Sequence, residues 1–265
     1  MSYRSVATRK VSSVDVIENS RLERVMGVGK LLRGLQLRSD LVATGGQLNM
    51  DPQKIDKMQT LDLSGKGIGV QMEKFCTALS TGELSSLTIL DLSDNRIGDE
   101  GMKAFSEALS RGVLASLTVL DLSDNRIGDE GMKAFSTALS SGALASLQVL
   151  VLHENNIGYD GMKAFSGALS SGSLGSLTVL DLSDNRIGDE GMKAFSTALS
   201  SGALGSLVEL WLHDNKISRD GMSAFAQEIA RGSLASLEDL YIHNNDAASD
   251  AVIAAVRNRA VRNRD

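Results

Sequence analysis

The residues of this chain best equipped for chemistry recur at one rhythm. Its three histidines are His153, His213 and His243, separated by multiples of 30 residues. The single tryptophan, Trp211, stands two residues before His213, and Tyr241 stands two before His243. Glu209 and Asp239 stand two earlier again. Imidazoles beside carboxylates are sufficient ligand chemistry for a borderline metal ion. No short ligand motif accompanies them, so neither a metal nor a cofactor is assigned. No catalytic residue is assigned either, because no serine or cysteine nucleophile is distinguished from its copies along the chain. The repeated Asp-Asn pairs, such as Asp124-Asn125, lack the alternating oxygen ligands and terminal glutamate of a calcium loop. The chemistry these residues do suit is recognition, with aromatic rings as anchors.

The rhythm belongs to the whole chain. Leu117-Thr118-Val119-Leu120-Asp121-Leu122-Ser123-Asp124-Asn125-Arg126-Ile127-Gly128 returns closely at Leu87 and Leu177, and more loosely at Leu147, Leu207 and Leu237. A shorter copy opens at Met58, with Lys66 in place of the asparagine. A fixed period of this size means a stack of like units. In each unit Leu120 and Leu122 alternate with Val119, Asp121 and Ser123, the pattern of a strand with one buried face. Asp129-Glu130-Gly131-Met132 then opens a helix, with Asp129 expected at its N-cap and Gly142 expected to close it in a left-handed conformation. All six phenylalanines, Phe75 to Phe225, fall in one column of the repeat, and six methionines, Met72 to Met222, fall in another. Both columns are expected to fill a shared core between helix and strand. Cys76, beside Phe75, is expected to be a small buried hydrophobe.

Identical residues in every unit report the fold, and departures report something else. Three strand columns are expected to face away from the helices. The first reads Thr60, Ile89, Val119, Val149, Val179, Glu209, Asp239. The second reads Asp62, Asp91, Asp121, Val151, Asp181, Trp211, Tyr241, and the third reads Ser64, Ser93, Ser123, His153, Ser183, His213, His243. Trp211, Tyr241, His213, His243, His153, Glu209, Asp239 and Asp181 are therefore the candidate partner-binding residues. The remaining aspartates of the second column are expected to be exposed charge that tunes salt sensitivity. A separate candidate for anionic docking is the tail, with Arg257, Arg259, Arg262 and Arg264; its plainer reading is a solvated cap on a helix C-terminus.

The pattern LxxLxLxxNxI, with a full helix between copies, resembles the leucine-rich repeat, and the 30-residue unit is most similar to its ribonuclease-inhibitor subclass. That resemblance implies an α/β solenoid, or horseshoe, with a parallel concave β-sheet and convex α-helices. It also implies a non-enzymatic protein-binding role, and the subclass includes GTPase-activating proteins and innate immune sensors. Three segments are expected: an arm and helical cap over 1–57, seven repeats over 58–246, and a capping helix with a basic tail over 247–265. The cap over 1–57 would cover the open end of the stack.

Charge and composition narrow the partners. The net charge of −6 is concentrated in the repeats, while both ends are basic. An acidic middle repels phosphates, so a protein is expected as partner and nucleic acid is not. No apolar run is long enough for a membrane span. A single cysteine suits a reducing compartment. The cytoplasm is the first expectation and organelle import is left open, since the basic, serine-rich first 13 residues faintly resemble a transit peptide. The expected function is a protein-binding scaffold. The alternatives are a structural subunit locked by its arms into a larger complex and a regulator of a small GTPase.

Overall fold

A computed structural model describes residues 59–80, 84–245, 250–257 and 262–263. The chain divides into two compact units, Met1–Gly45 and Gly46–Asp265, and every described residue lies in the second. The expected arm and cap over 1–57 lie outside the described residues.

Among the described residues, seven strand–helix units follow one another. Strands β1 (Thr60–Asp62), β2 (Ile89–Asp91), β3 (Val119–Asp121), β4 (Val149–Val151), β5 (Val179–Asp181), β6 (Glu209–Trp211) and β7 (Asp239–Tyr241) are three residues each. Helices α1 (Met72–Leu79), α2 (Gly98–Leu109), α3 (Asp129–Ser140), α4 (Tyr159–Ser170), α5 (Gly188–Leu199), α6 (Arg219–Arg231) and α7 (Asp250–Arg257) alternate with them. A 3-10 turn, Ile68–Gln71, precedes α1. A helical crossover between strands requires parallel pairing. The strands accordingly form one parallel sheet in sequence order, in register, with Leu90 paired to Leu120, Leu120 to Leu150 and Leu180 to Leu210. An eighth strand, β8 (Arg262–Asn263), extends the sheet beside β7. The tail was expected to be a solvated helix end. A strand there instead satisfies backbone groups that the edge of β7 would leave unpaired.

The central leucine of each strand from β2 onward is fully buried, as are Phe105, Phe135, Phe165, Phe195 and Phe225. Met102, Met132, Met162 and Met192 are buried with them. Each unit thus contributes the same wedge between its strand and its helix, and neighbouring helices pack on one another. Cys76 is buried, and burial, partly offset by Arg111, pushes its thiol up to about 12. It has no thiolate to offer at neutral pH.

Two ladders of polar side chains stitch successive units together. In the first, each asparagine serves the turn of the unit before it. Asn125 Oδ1 accepts from the N–H groups of Asn95 and Ile97, and its Nδ2 donates to the carbonyls of Leu92 and Ser123. One buried amide thereby satisfies four backbone groups that no strand or helix reaches. Lys66 breaks the column, yet its turn is still served: Asn95 Oδ1 accepts from the Lys66 and Ile68 N–H groups. Gly65 and Gly67, both exposed and left-handed, accommodate the irregular path.

The second ladder corrects an expectation. Asp129 does not cap its own helix; Gly128 stands at the N-cap of α3 with no side-chain hydrogen bond. Asp129 Oδ1 reaches into the next unit, accepting from Gly158 N–H at 2.7 Å and Gly161 N–H at 2.9 Å. Asp99 does the same for Gly128 and Gly131, and Asp189 for Ser218 and Gly221. From the first or second helical position the carboxylate projects onto the neighbouring helix, whose first N–H groups are otherwise orphaned. Burial works against the Asp189 carboxylate, but bonds from Ser218 Oγ, Ser218 N–H and Gly221 N–H together hold it below the usual carboxylate range.

The ladder is interrupted where the shorter first unit has no aspartate to offer and where Tyr159 takes the aspartate's place. There Gly98 and Gly188 adopt φ of 62° and 60°, and their N–H groups turn to the carbonyls of Asn125 and Asn215. Where the aspartate is present, Gly128 and Gly158 are extended instead. The carboxylate selects between two conformations at the start of the following helix.

Candidate functional site

Strands β6 and β7 place the departures from the repeat side by side. Trp211 pairs in register with Tyr241, and Glu209 with Asp239. Parallel strands lie about 4.8 Å apart, a spacing at which flat side chains in one column stack. The Trp211 and Tyr241 rings do so at 3.6 Å between centroids and 11° between planes. His213 and His243 stack at 4.4 Å and 9°, and the Trp211 edge meets His213 at 5.9 Å. Four rings therefore form one cluster on the helix-free face of the sheet.

The aspartate column corrects another expectation. Asp62, Asp91, Asp121 and Asp181 are not loose surface charges: each accepts from both the N–H and the Oγ of the serine two residues on. Asp121 and Asp181 are buried, because side chains stacked at strand spacing cover one another's flanks. Burial pushes the Asp121 carboxyl up to about 6, against the Ser123 hydrogen bonds and with Asp91 and Asp181 adding like charge. Its Oδ2 has no hydrogen-bond partner among the described residues. Each Asp therefore depends on its Ser, which explains why the two columns change together. Asp–Ser becomes Val151–His153, Trp211–His213 and Tyr241–His243.

Exposure within the cluster is uneven. Trp211 is only 8% exposed, covered by the stack it joins, although its strand position faces away from the core. Tyr241, His213, His243 and Glu209 are half-buried, and Asp239 is buried. The surface offered outward is thus mainly Tyr241 and imidazole.

The third histidine occupies a separate cluster. His153 Nδ1 lies 3.0 Å from Ser183 Oγ and 3.4 Å from Asp184 Oδ2, and its Nε2 lies 3.4 Å from Glu154. His213 Nδ1 lies 2.9 Å from Asp214 Oδ2 and 3.9 Å from Asp184. Asp184 stands between the two clusters and was not singled out from sequence. Its signal was concealed, because an acid precedes the asparagine in most units and reads as a turn residue. Asp184, Asp214 and Lys216 line a shallow cleft of about 350 Å³ beside the turns.

Of the tail arginines, Arg257 ends α7, and Arg262 opens β8 in register with Asp239, on the rung next to the strand that carries Tyr241. Arg259 and Arg264 lie outside the described residues. No described helix is long and apolar enough to cross a membrane.

The family model described as "Leucine Rich repeat" matches residues 83–106, 113–136, 143–166 and 176–196. No curated protein matches the chain. Among solved structures, the crystal structure of a TLR13–ssRNA13 complex is similar, with 17% identity and a TM-score of 0.41. That similarity covers 81% of this chain and 33% of the other, so this chain spans about a third of that protein's length. The matched segments coincide with successive units of one parallel sheet backed by helices and clamped by buried asparagines. The chain carries leucine-rich repeats over those segments and has the fold of a leucine-rich-repeat solenoid.

Proposed function

We propose that this chain is a non-enzymatic scaffold that binds another protein through the ring cluster on β6 and β7. Leucine-rich repeats generally serve as protein-binding scaffolds. The observation that carries the assignment to this end of the sheet is the stack of Trp211 on Tyr241, flanked by the stacked imidazoles. It replaces a column in which every other polar side chain is committed to an Asp–Ser pair. A rigid aromatic surface with its entropy already lost in stacking suits an anchor at the centre of an interface. Glu209 and His153 would border the contact, and Trp211 would support Tyr241 from beneath.

The test is comparative capture from extract with mass spectrometry, using the wild-type chain and Tyr241→Ala as baits. Loss of one aromatic anchor costs about 2 kcal/mol or more, so the specific partner should fall by roughly thirtyfold or more in affinity. Capture that survives Tyr241→Ala unchanged and disappears with charge reversal of Arg257 and Arg262 would overturn the assignment. It would favour docking through the tail, as a structural subunit of a larger assembly would use.

A further inference from the structure

The geometry points to a binding site for one divalent transition-metal ion of the zinc type, formed by His213, Asp214 and His243. One ligand atom from each of the three lies within 4.8 Å of the others. His213 and His243 come from adjacent units and are held parallel by their stack. Asp214 follows His213 and turns its carboxylate back, with Oδ2 at 2.9 Å from His213 Nδ1. Asn244 Nδ2 donates to the same carboxylate at 3.3 Å, which fixes its orientation from the neighbouring turn. Such outer hydrogen bonds are what orient ligands in protein metal sites.

A hydrogen-bonded His–Asp pair would account for His213 and Asp214 alone. It does not account for His243. The Nδ1 of His243 is buried and has no hydrogen-bond partner among the described residues. An imidazole nitrogen in that condition carries a desolvation cost that nothing among the described residues offsets. A cation accepting its lone pair removes that cost. Two ligand nitrogens on a tetrahedral zinc ion lie about 3.4 Å apart, given bonds of about 2.0–2.1 Å. Lone pairs in parallel ring planes do not converge, so both rings must tilt out of their stack toward the ion, a side-chain movement that leaves both strands in place.

The donor set selects the class of ion. Two imidazoles and one carboxylate suit zinc and its neighbours, whereas calcium and magnesium favour sets made of oxygen alone. Asp214 and Asp184 both line the cleft beside the turns, which supplies an entry path, and Asp184 stands 3.9 Å from His213 Nδ1 as a further carboxylate. The cluster of His153, Glu154 and Asp184 meets the same distance criterion but has one imidazole only, and His153 Nδ1 lies against Ser183. It is the weaker site and serves as the internal control.

The experiment titrates the full chain, free of any histidine tag and stripped with chelator, with Zn²⁺ in a calorimeter. Co²⁺ is followed separately by its visible absorption. One equivalent of Zn²⁺ is expected, together with the intense d–d bands of low-symmetry Co²⁺. His213→Asn and His243→Asn should each weaken Zn²⁺ binding by roughly tenfold or more, while His153→Asn leaves the equivalent in place. Circular dichroism on the same samples confirms that the variants are folded. Absence of Zn²⁺ uptake and of Co²⁺ bands in the wild-type chain would overturn the site, and this readout requires no variant to fold. Equal Zn²⁺ affinity in wild type and a folded His213→Asn, His243→Asn double variant would overturn it as well. Metal uptake is read on the isolated chain, so its failure leaves the partner proposal standing.

Discussion

Asp129 lies at the start of α3, yet the helix it caps is α4, through Gly158 and Gly161 of the following unit. The glycine is part of the device. A Cβ on Gly161 would sit 2.7 Å from Asp129 Oδ1, so any larger residue pushes the carboxylate off the N–H groups it serves. Helix capping is thereby converted from a local property into glue between repeats, and each unit depends on the aspartate of its predecessor.

Removing that link should destabilise the stack modestly. Asp129→Ala is expected to cost about 1 kcal/mol, the usual worth of a capping side chain. Gly161→Ala should cost at least as much, through the clash it creates. Urea unfolding monitored by circular dichroism measures both. Midpoints equal to wild type would show that the contact carries no net energy.

Restoring the missing link should do the reverse. Tyr159 occupies the aspartate position ahead of α5; it is exposed and rests against Lys163. Tyr159→Asp is expected to draw Gly188 out of its left-handed conformation and to stabilise the protein by up to about 1 kcal/mol. A higher urea midpoint with a shifted Gly188 amide resonance is the expected outcome. A lower midpoint would mean that the Asn215 carbonyl is the better partner for that N–H.

The phenylalanine column should be the most sensitive part of the chain. Phe165 is completely buried between its strand and its helix. Phe165→Ala should cost about 3–5 kcal/mol and loosen the units on either side. A thermal melt, with amide exchange in the flanking helices, tests both statements; unchanged protection in α3 and α5 would confine the damage to one unit.

Asp121 predicts a specific pH dependence. Its folded carboxyl is pushed up to about 6, above the unfolded value of about 4. A group raised in this way supports the fold fully below about pH 4, and the support is lost as pH rises through about 6. Asp121→Asn keeps an acceptor for Ser123 and removes the buried charge. Its stability relative to wild type should therefore improve between pH 4 and 7, by an amount on the order of 2–3 kcal/mol. A difference between the two proteins that stays constant over that range would show Asp121 to be ionised at no cost.

Most of the fold was legible in the residues. A period of 30 with alternating leucines, a following helix and one asparagine per unit leaves a parallel, helix-backed stack as the way to bury every copy of the same wedge. The adjacency of Trp211 and Tyr241 followed from the same arithmetic, since in-register parallel strands bring residues one period apart to the same rung. Tertiary structure decided what the polar side chains do. Asp129 and Asp189 have the composition of local caps, and only the distance to the next helix shows that they bind across units. Asp121 and Asp181 have the composition of surface charge, and only the covering of each rung by its neighbours shows that they are buried. His213, Asp214 and His243 carry no ligand spacing in sequence, because their convergence is made between strands. Period and hydrophobicity act along the chain and can be read from it, whereas hydrogen bonds and ligand geometry depend on distances that exist only after the units have stacked.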